Sequence, residues 1–467
     1  MTISTAGRVA RALSASVCLA LGPAGTLSAQ DDMDALDELD ALDELDALDE
    51  LDEIAPPDEG GLRVRERKGF AATEVRVYLA DRERPGEHEQ AIFEYQLELD
   101  VNLMGGLGMF IRPWIFIDVL DTELVRYEPL EGYLEYRAEH GDLRVGQFIE
   151  SWGIVDAFNP IDILNRRDLG VDALDAEPRG ELGARARLFG RGGEVIDQPV
   201  FSVYAMPIWR RTEFPTRDSR FAFAPEGLRF RPNGAERLEG GDALLAAMRI
   251  DHTLNTALFN ADMQYLIARG PDRFPVFGVV PQADGTADLV PEYHGVLLAG
   301  GGFRAVPNGE LLSKFTLKAE VVYKKPFELD ALSGELPGDY VQFATGVDRV
   351  VPLGDAHELT IMLEYMGEQG ADDPSADLRI FDSDVALRLA WAANDFARTS
   401  FEVRGIVDTG NGELIGEAVF KRQLRFIDDD LRLELAGQLV RPDEDGQGLL
   451  ARFPDPTRVD ARLQWDY

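Results

Sequence analysis

The side chains in this chain that could do chemistry are carboxylates, arginines and a few histidines, and their spacing limits what that chemistry can be. Asp156, Asp162 and Asp168 lie close in sequence to Arg166, Arg167 and Arg179, so charge-assisted pairs could hold one loop in a single shape. Asn159-Pro160 favours a turn among them. Asp372-Asp373, Asp428 to Asp430 and Asp443 to Asp445 also group carboxylates, and solvated surface charge is the expectation for each. Bridging of divalent ions to lipopolysaccharide is a weaker alternative for them. His88, His140, His252, His294 and His357 are scattered, and surface or rim positions are expected for them. The chain contains no H-E-x-x-H, no C-x-x-C, no phosphate-cradling G-x-x-x-x-G-K and no G-x-S-x-G elbow. No catalytic residue, no metal ligand and no cofactor is therefore assigned, and the chain is read as not an enzyme.

The elements that must position these charges begin with an exported leader. Arg8 and Arg11 precede an apolar stretch, Ala12 to Leu21, followed by Gly22-Pro23 and small residues, which is the grammar of a secretory signal. Cleavage is expected after Ala29, so residues 1–29 form the signal peptide. Cys18 is the only cysteine, and Val17 before it is too large for a lipoprotein cleavage site. The mature chain would then hold no disulfide, thiolate metal site or cysteine nucleophile. Charges recur too often for any later segment to supply the roughly 18 apolar residues of a spanning helix. A membrane could be crossed only by strands.

Residues 30–62 form an acidic low-complexity arm built on D-A-L-D-E-L repeats. Leu36, Leu39, Leu42, Leu45, Leu48 and Leu51 recur every three residues, a step that falls short of a helical turn, so the leucines spiral and make no stripe. Fifteen carboxylates and no basic residue between Asp31 and Glu59 favour a disordered or partly helical periplasmic arm ending at Pro56-Pro57. A solubilising tail is the simpler reading; docking on a basic periplasmic partner or weak calcium collection is the sharper one. The net charge of −38 argues against nucleic acid as a partner.

From Thr73 onward the recurring signal is period two. Phe93, Tyr95, Leu97, Leu99, Val101 and Leu103 share one face of an extended segment, and Glu94, Gln96, Glu98, Asp100 and Asn102 share the other. The pattern returns at Leu130 to Ala138, Leu182 to Leu188, Ala261 to Ile267, Phe315 to Tyr323, Leu359 to Tyr365, Val385 to Trp391, Leu431 to Leu439 and Val459 to Tyr467. Such lengths exceed sandwich strands and suit tilted strands across a bilayer. Short connections are expected at Met104 to Gly108, His140-Gly141, His252 to Asn255 and Asn394 to Ala397, and long ones at Glu150 to Gly180, Ile208 to Gly241 and Gly270 to Tyr293. Short and long alternate, as they do where one end of a barrel faces the periplasm, with Asp408 to Gly412 an exception. Pro113 and Pro207 are placed at bulges or strand ends. Tyr95, Tyr136, Tyr323, Tyr365, Trp391 and Trp465 suit aromatic girdles.

The segment Val145-Gly-Gln-Phe-Ile-Glu-Ser-Trp-Gly-Ile-Val-Asp-Ala-Phe-Asn-Pro-Ile-Asp-Ile-Leu-Asn-Arg-Arg-Asp168 resembles the G-x-Q…W-G-x-x-D…N-P-x-D…N-x-R-D signature of an uncharacterised, porin-like family of proteobacterial outer-membrane barrels. The resemblance rests on Gly146, Gln147, Trp152, Gly153, Asp156, Asn159, Pro160, Asp162, Asn165, Arg167 and Asp168. Arg166 stands where relatives often have proline. The resemblance implies an association with lipid-exporting pumps of the resistance-nodulation-division class. The terminal aromatic, Tyr467, resembles the signal read by the barrel-assembly machinery, although Phe is commoner there.

The sequence thus predicts an all-β fold. Residues 63–467 form a transmembrane antiparallel β-barrel of about sixteen to eighteen strands, within a range of fourteen to eighteen, in the outer membrane. Its partners would be outer-membrane lipid and lipopolysaccharide. The expected function is a porin-like passage for a solute or lipid, with the motif loop folding into the lumen and narrowing it, its charges held by Arg and Glu projecting from the barrel wall. A plugged structural or ligand-binding barrel, in which the motif merely packs the loop against the rim, is the alternative, followed by a barrel lipid hydrolase.

Overall fold

The computed structural model describes residues 62–79, 89–120, 125–157, 159–169, 178–214, 228–230, 244–273, 275–282, 287–329, 336, 338–354, 356–370, 383–443 and 457–467. The signal peptide, the acidic arm up to residue 61, His88 and Asp372-Asp373 lie outside them.

One 18-stranded antiparallel sheet closes on itself. Its wall strands are β1 (Arg63–Tyr78), β2 (Glu89–Met104), β3 (Leu107–Asp118), β4 (Val125–Ala138), β5 (Gly141–Phe148), β6 (Glu181–Phe189), β7 (Ile196–Met206), β8 (Leu245–Asn255) and β9 (Phe259–Pro271). They continue as β10 (Gly295–Pro307), β11 (Thr316–Phe327), β12 (Tyr340–Pro352), β13 (Glu358–Gln369), β14 (Ser383–Ala392), β15 (Ser400–Asp408), β16 (Leu414–Gln423), β17 (Leu431–Arg441) and β18 (Arg458–Asp466). Each pairs with its sequence neighbour, and β18 pairs with β1 from Phe70↔Asp466 to Tyr78↔Arg458. The count is at the top of the expected range.

Alternation places the two faces of each strand in different surroundings. On β11, Lys318, Glu320, Val322 and Lys324 are buried, while Leu317, Val321 and Tyr323 are exposed. On β13, Met362, Glu364 and Met366 are buried between the exposed Leu363 and Tyr365. Polar groups therefore point into the barrel and apolar groups out, the reverse of a water-soluble sandwich. The connection lengths alternate as expected. Odd connections include 149–180, 207–244 and 272–294, even ones include 105–106 and 139–140, and 409–413 is the short odd exception.

Two local expectations are refined. His252 to Asn255 belong to β8, and the turn falls at 256–258. There the Thr256 hydroxyl accepts the Leu258 and Phe259 N–H groups at 3.2 and 3.0 Å and donates to the Phe259 carbonyl at 2.8 Å, so it replaces ladder bonds that the strand gives up. Pro113 lies inside β3, opposite Pro129, where the register of β3 and β4 shifts.

The barrel closes at one seam. Gly69 and Tyr467 exchange backbone bonds of 3.0 and 2.9 Å, and the Tyr467 ring stacks on Tyr95 at 6.2 Å while its hydroxyl donates to the Gln96 carbonyl. A Cβ on Gly69 would stand 2.4 Å from the Gln96 oxygen and 2.9 Å from the Tyr467 hydroxyl oxygen. We expect Gly69→Val to cost about 1–3 kcal/mol through overpacking. It should lower the temperature at which the folded, fast-migrating form is lost on unheated SDS gels. Gly132→Val, whose Cβ meets nothing within 4 Å, should migrate like the parent; equal behaviour of the two variants would show that the seam is not the tight point.

Candidate functional site

The chain leaves the wall after Phe148 and rejoins it after Gly180, and among the described residues between these points Trp152 to Ala157 and Asn159 to Leu164 lie in the lumen. Two glycines shape its path. Gly146 has φ 144°, and a Cβ there would stand 2.4 Å from the Gly132 oxygen; Gly153 has φ 128°, and its Cβ would overlap the Asn159 amide. Both positions are closed to side chains.

An apolar cluster anchors one flank of the loop. Trp152, Ile161, Ile163 and Leu164 are each fully buried against Phe148, Tyr204, Met206, Leu245, Ala247, Leu266, Ala268, Leu298 and Val322 of the wall. The Trp152 and Tyr204 rings meet edge to face at 5.2 Å. The cluster fills the lumen beside β5 to β11. Farther along, Val155 packs on Ala344, Met366 and Ala386 of β12 to β14, so the loop reaches the far side of the barrel.

Polar contacts fix its tip. Glu320 of β11 accepts the Ile154 and Val155 N–H groups, the second at 3.0 Å. Glu364 of β13 accepts those of Asp156 and Ala157 at 2.9 and 2.8 Å. Lys318 bridges Asp156 and Asp348 at 2.6 and 2.5 Å. Inside the loop, the Asn159 side-chain oxygen accepts the Ile161 and Asp162 N–H groups at 3.3 and 3.1 Å, closing the turn at Pro160. Asn165 both donates to the Glu150 carbonyl at 2.7 Å and accepts the Glu150 N–H at 3.1 Å, and it donates to Asp162 at 3.2 Å.

The charges choose partners other than the local ones that their spacing suggests. Asp162 and Arg167 pair within the motif, at 4.0 Å, and Arg167 is half exposed. Asp168 pairs with Arg126 of β4 at 3.4 Å. Arg166 reaches Glu128 at 2.5 Å and Glu213 at 2.6 Å, and Arg179 reaches Glu128 at 3.2 Å while its guanidinium sits 4.0 Å over the Trp114 ring. Arg273, from the connection after β9, caps the Ile163 and Leu164 carbonyls and pairs with Glu181 at 3.4 Å. Sequence reading missed Glu320, Glu364, Lys318 and Arg273 as loop holders, because nothing near them in the chain marks them.

Of the other candidates, His294 is buried 3.6 Å from Asp272, where a rim position was expected; it closes the base of the β9–β10 connection. His140 is exposed beside Glu139, and His357 stacks on Trp391 at 5.5 Å.

Beside the loop the other half of the lumen stays open as a cavity of about 850 Å³. Asp156, Asp168 and Arg179 line it from the loop side, and β1 to β4 and β10 to β18 line it from the wall. Among the described residues the lining carries eleven basic and ten acidic side chains. Most are matched across strands, with Arg388–Glu402 at 3.1 Å, Arg404–Glu417 at 2.5 Å and Arg462–Glu94 at 2.7 Å. The described residues hold no cluster of His, Cys, Asp or Glu able to bind a metal.

No family model matches the chain, and no curated protein does. Among solved structures it is similar to the Pseudomonas aeruginosa proteins OccK11 (OpdR) and OccK2 (OpdF), the latter in complex with glucuronate. Each is 11% identical with a TM-score of 0.48; the alignments cover 88% and 86% of this chain and 98% and 96% of theirs. It is also similar to a loop-deleted OmpT, an outer-membrane protein of Vibrio cholerae, at 8% identity and a TM-score of 0.40, covering 87% of this chain and 100% of that one. Likeness at this level assigns no function.

The root of the loop is electrostatic. Burial alone would raise the Glu150 carboxyl, but Arg185, Arg249 and Arg144, with the Tyr204 hydroxyl at 2.9 Å, hold it below the ordinary range. Its contribution to loop docking is present above the unfolded value and lost as pH falls through the depressed folded one. Asp162 has the opposite sign: burial raises it despite Arg167 and Asn165. Its contribution is greatest below the unfolded value and is lost as pH rises through the raised one. Glu150→Gln removes the nearest of the three carboxylates around Arg185, leaving Asp142 and Glu135 at 3.4 Å, and should cost about 1–3 kcal/mol, seen as faster tryptic cleavage after Arg167 at neutral pH. Asp162→Asn should keep or improve protection there. Cleavage of Glu150→Gln at the parent rate would remove the pair from the account.

Proposed function

We propose that this barrel spans the bacterial outer membrane as a non-enzymatic, porin-like channel, with solute passing between the inward loop and the wall formed by β14 to β18 and β1 to β3. The observation that carries the reading is the open, charge-lined half of the lumen beside a loop fixed by side chains of β4, β11 and β13. Membrane placement follows from the inverted polarity of the strands, since a closed barrel leaves no unpaired edge in hydrocarbon. Its outward apolar side chains would meet lipid, and its outer connections lipopolysaccharide.

The finer parts of the reading rest on the sequence. The motif of Trp152, Gly153, Asp156, Asn159, Pro160, Asp162, Asn165, Arg167 and Asp168 builds the narrowing loop. The strand ending at Tyr467 is the handle for the assembly machinery. The acidic arm and the resemblance of segment 145–168 to a pump-associated family favour work beside a periplasmic or inner-membrane export partner.

Deleting Asp156 to Asp175 should raise single-channel conductance in planar bilayers, and unchanged conductance would remove the loop as the constriction. The lining also makes a prediction against the chain as a whole. Although the net charge is −38, the lumen is nearly balanced, so the reversal potential in a salt gradient should lie close to zero. Arg388→Glu with Arg404→Glu should shift it toward cation preference. Strong cation selectivity in the parent would show that charges outside this lining control passage.

A further inference from the structure

Among the described residues, the wall lacks ladder pairing beside the upper part of β4. The β4–β5 ladder runs from Ala138↔Gly141 to Gly132↔Gln147 and stops there, because the chain then turns into the lumen. Among the described residues, no strand pairs with the β5-facing side of 125–131, although β3 pairs with the opposite side as far as Val125. Side chains stand in for the missing strand. Gln147 donates to the Pro129 and Leu130 carbonyls at 2.5 and 3.3 Å, and Glu131 accepts the Ile149 N–H at 2.9 Å.

The neighbouring ladder is interrupted as well. Pro113 and Pro129 face each other, neither with an N–H to give, and Leu130 bulges from the register. The β2–β3 pairing skips from Gln96↔Trp114 to Leu99↔Ile111. What closes the place from inside is a set of ion pairs from the loop: Arg126 with Asp168, and Glu128 with Arg166 and Arg179.

The two sides of this gap differ in a way that points to a ligand. Outside, Val125, Tyr127, Leu143 and Val145 are exposed apolar groups. Inside, Ile92, Trp114, Phe116 and Leu130 form an apolar patch within an otherwise charged lumen, and three of them line the open cavity together with Ile149, Pro178 and Arg179. The cavity of about 850 Å³ that Trp114, Phe116 and Leu130 border has room for an acyl chain beside them. Arg179, whose present partner is Glu128, supplies a cation that an anionic headgroup could take over when the loop moves off β4.

We propose that the space between the upper part of β4 and the root of the loop is a lateral passage through which an anionic amphiphile with an acyl chain moves between lumen and membrane. The proposal rests on the membrane-spanning reading above and deepens it by naming a substrate class and a route. Release of the Arg126–Asp168, Glu128–Arg166 and Glu128–Arg179 pairs opens the passage, and no covalent step is involved.

Photocrosslinking in bilayers tests it. The barrel carrying Leu130→p-benzoylphenylalanine is reconstituted in vesicles of phosphatidylcholine and phosphatidylglycerol, irradiated, and weighed by mass spectrometry. Phe116→p-benzoylphenylalanine provides a second position if the first variant does not fold. Val419→p-benzoylphenylalanine, which faces the cavity from β16, is the comparison. The expected result is a mass gain of one phosphatidylglycerol at position 130 or 116 and none at 419. Joining Arg126→Cys to Asp168→Cys with a short bismaleimide should reduce the adduct to the level at 419 while conductance persists. A folded, conducting barrel that gains no lipid at either position, or that gains it equally after the clamp, overturns the lateral passage and leaves the pore standing. A barrel that gains lipid but does not conduct overturns the pore and supports the passage.

Discussion

Closure is the constraint on which the rest of this structure depends. A sheet with apolar side chains on its outer face cannot leave a row of backbone N–H and C=O groups at an edge, because in apolar surroundings each would cost several kcal/mol. The seam between β1 and β18 removes that edge, and it is tight enough that Gly69 has no room for a side chain beside Tyr467. Once the seam is made, every strand must turn one face inward, and the interior inherits whatever the alternate positions carry.

That interior holds far more charge than a protein core tolerates unpaired. Two devices accommodate it. Across the open half, arginines and carboxylates on adjacent strands neutralise one another, as Arg388 does with Glu402 and Arg462 with Glu94. In the other half the loop brings in its own apolar side chains and its own unpaired N–H groups, which Glu320 and Glu364 accept two at a time. A carboxylate shared by successive backbone N–H groups is a strong, directional anchor, so the loop is positioned by main-chain geometry as much as by its own charges. The cost of sending this loop inward is a shortened β5 and an unpaired flank on β4, where ion pairs do what strand pairing does elsewhere.

Much of this was legible before any coordinates, and the reason is that strand periodicity is local. The alternation in Phe93 to Leu103, the length of the runs and the odd and even connection lengths are all properties of short stretches of chain. A two-residue period names two faces without needing to know what lies beyond either of them. The alternation could not fix the exact number of strands, and the turn expected at His252 to Asn255 moved to 256–258 because the Thr256 hydroxyl, not the composition of the preceding residues, decides where the ladder ends.

The tertiary structure alone decided who partners whom. Asp156, Asp168, Arg166 and Arg179 sit near one another in sequence, yet they pair with Lys318, Arg126 and Glu128, which the register of separate strands brings to them, and with Glu213 of the β7–β8 connection. A one-residue shift in any of those ladders would turn the partner to the outer face. The sequence by itself therefore determined which residues face inward along each strand. Only closure of eighteen strands, with their registers fixed relative to one another, determined which inward residues meet across the lumen, because that depends on contacts between segments far apart in the chain.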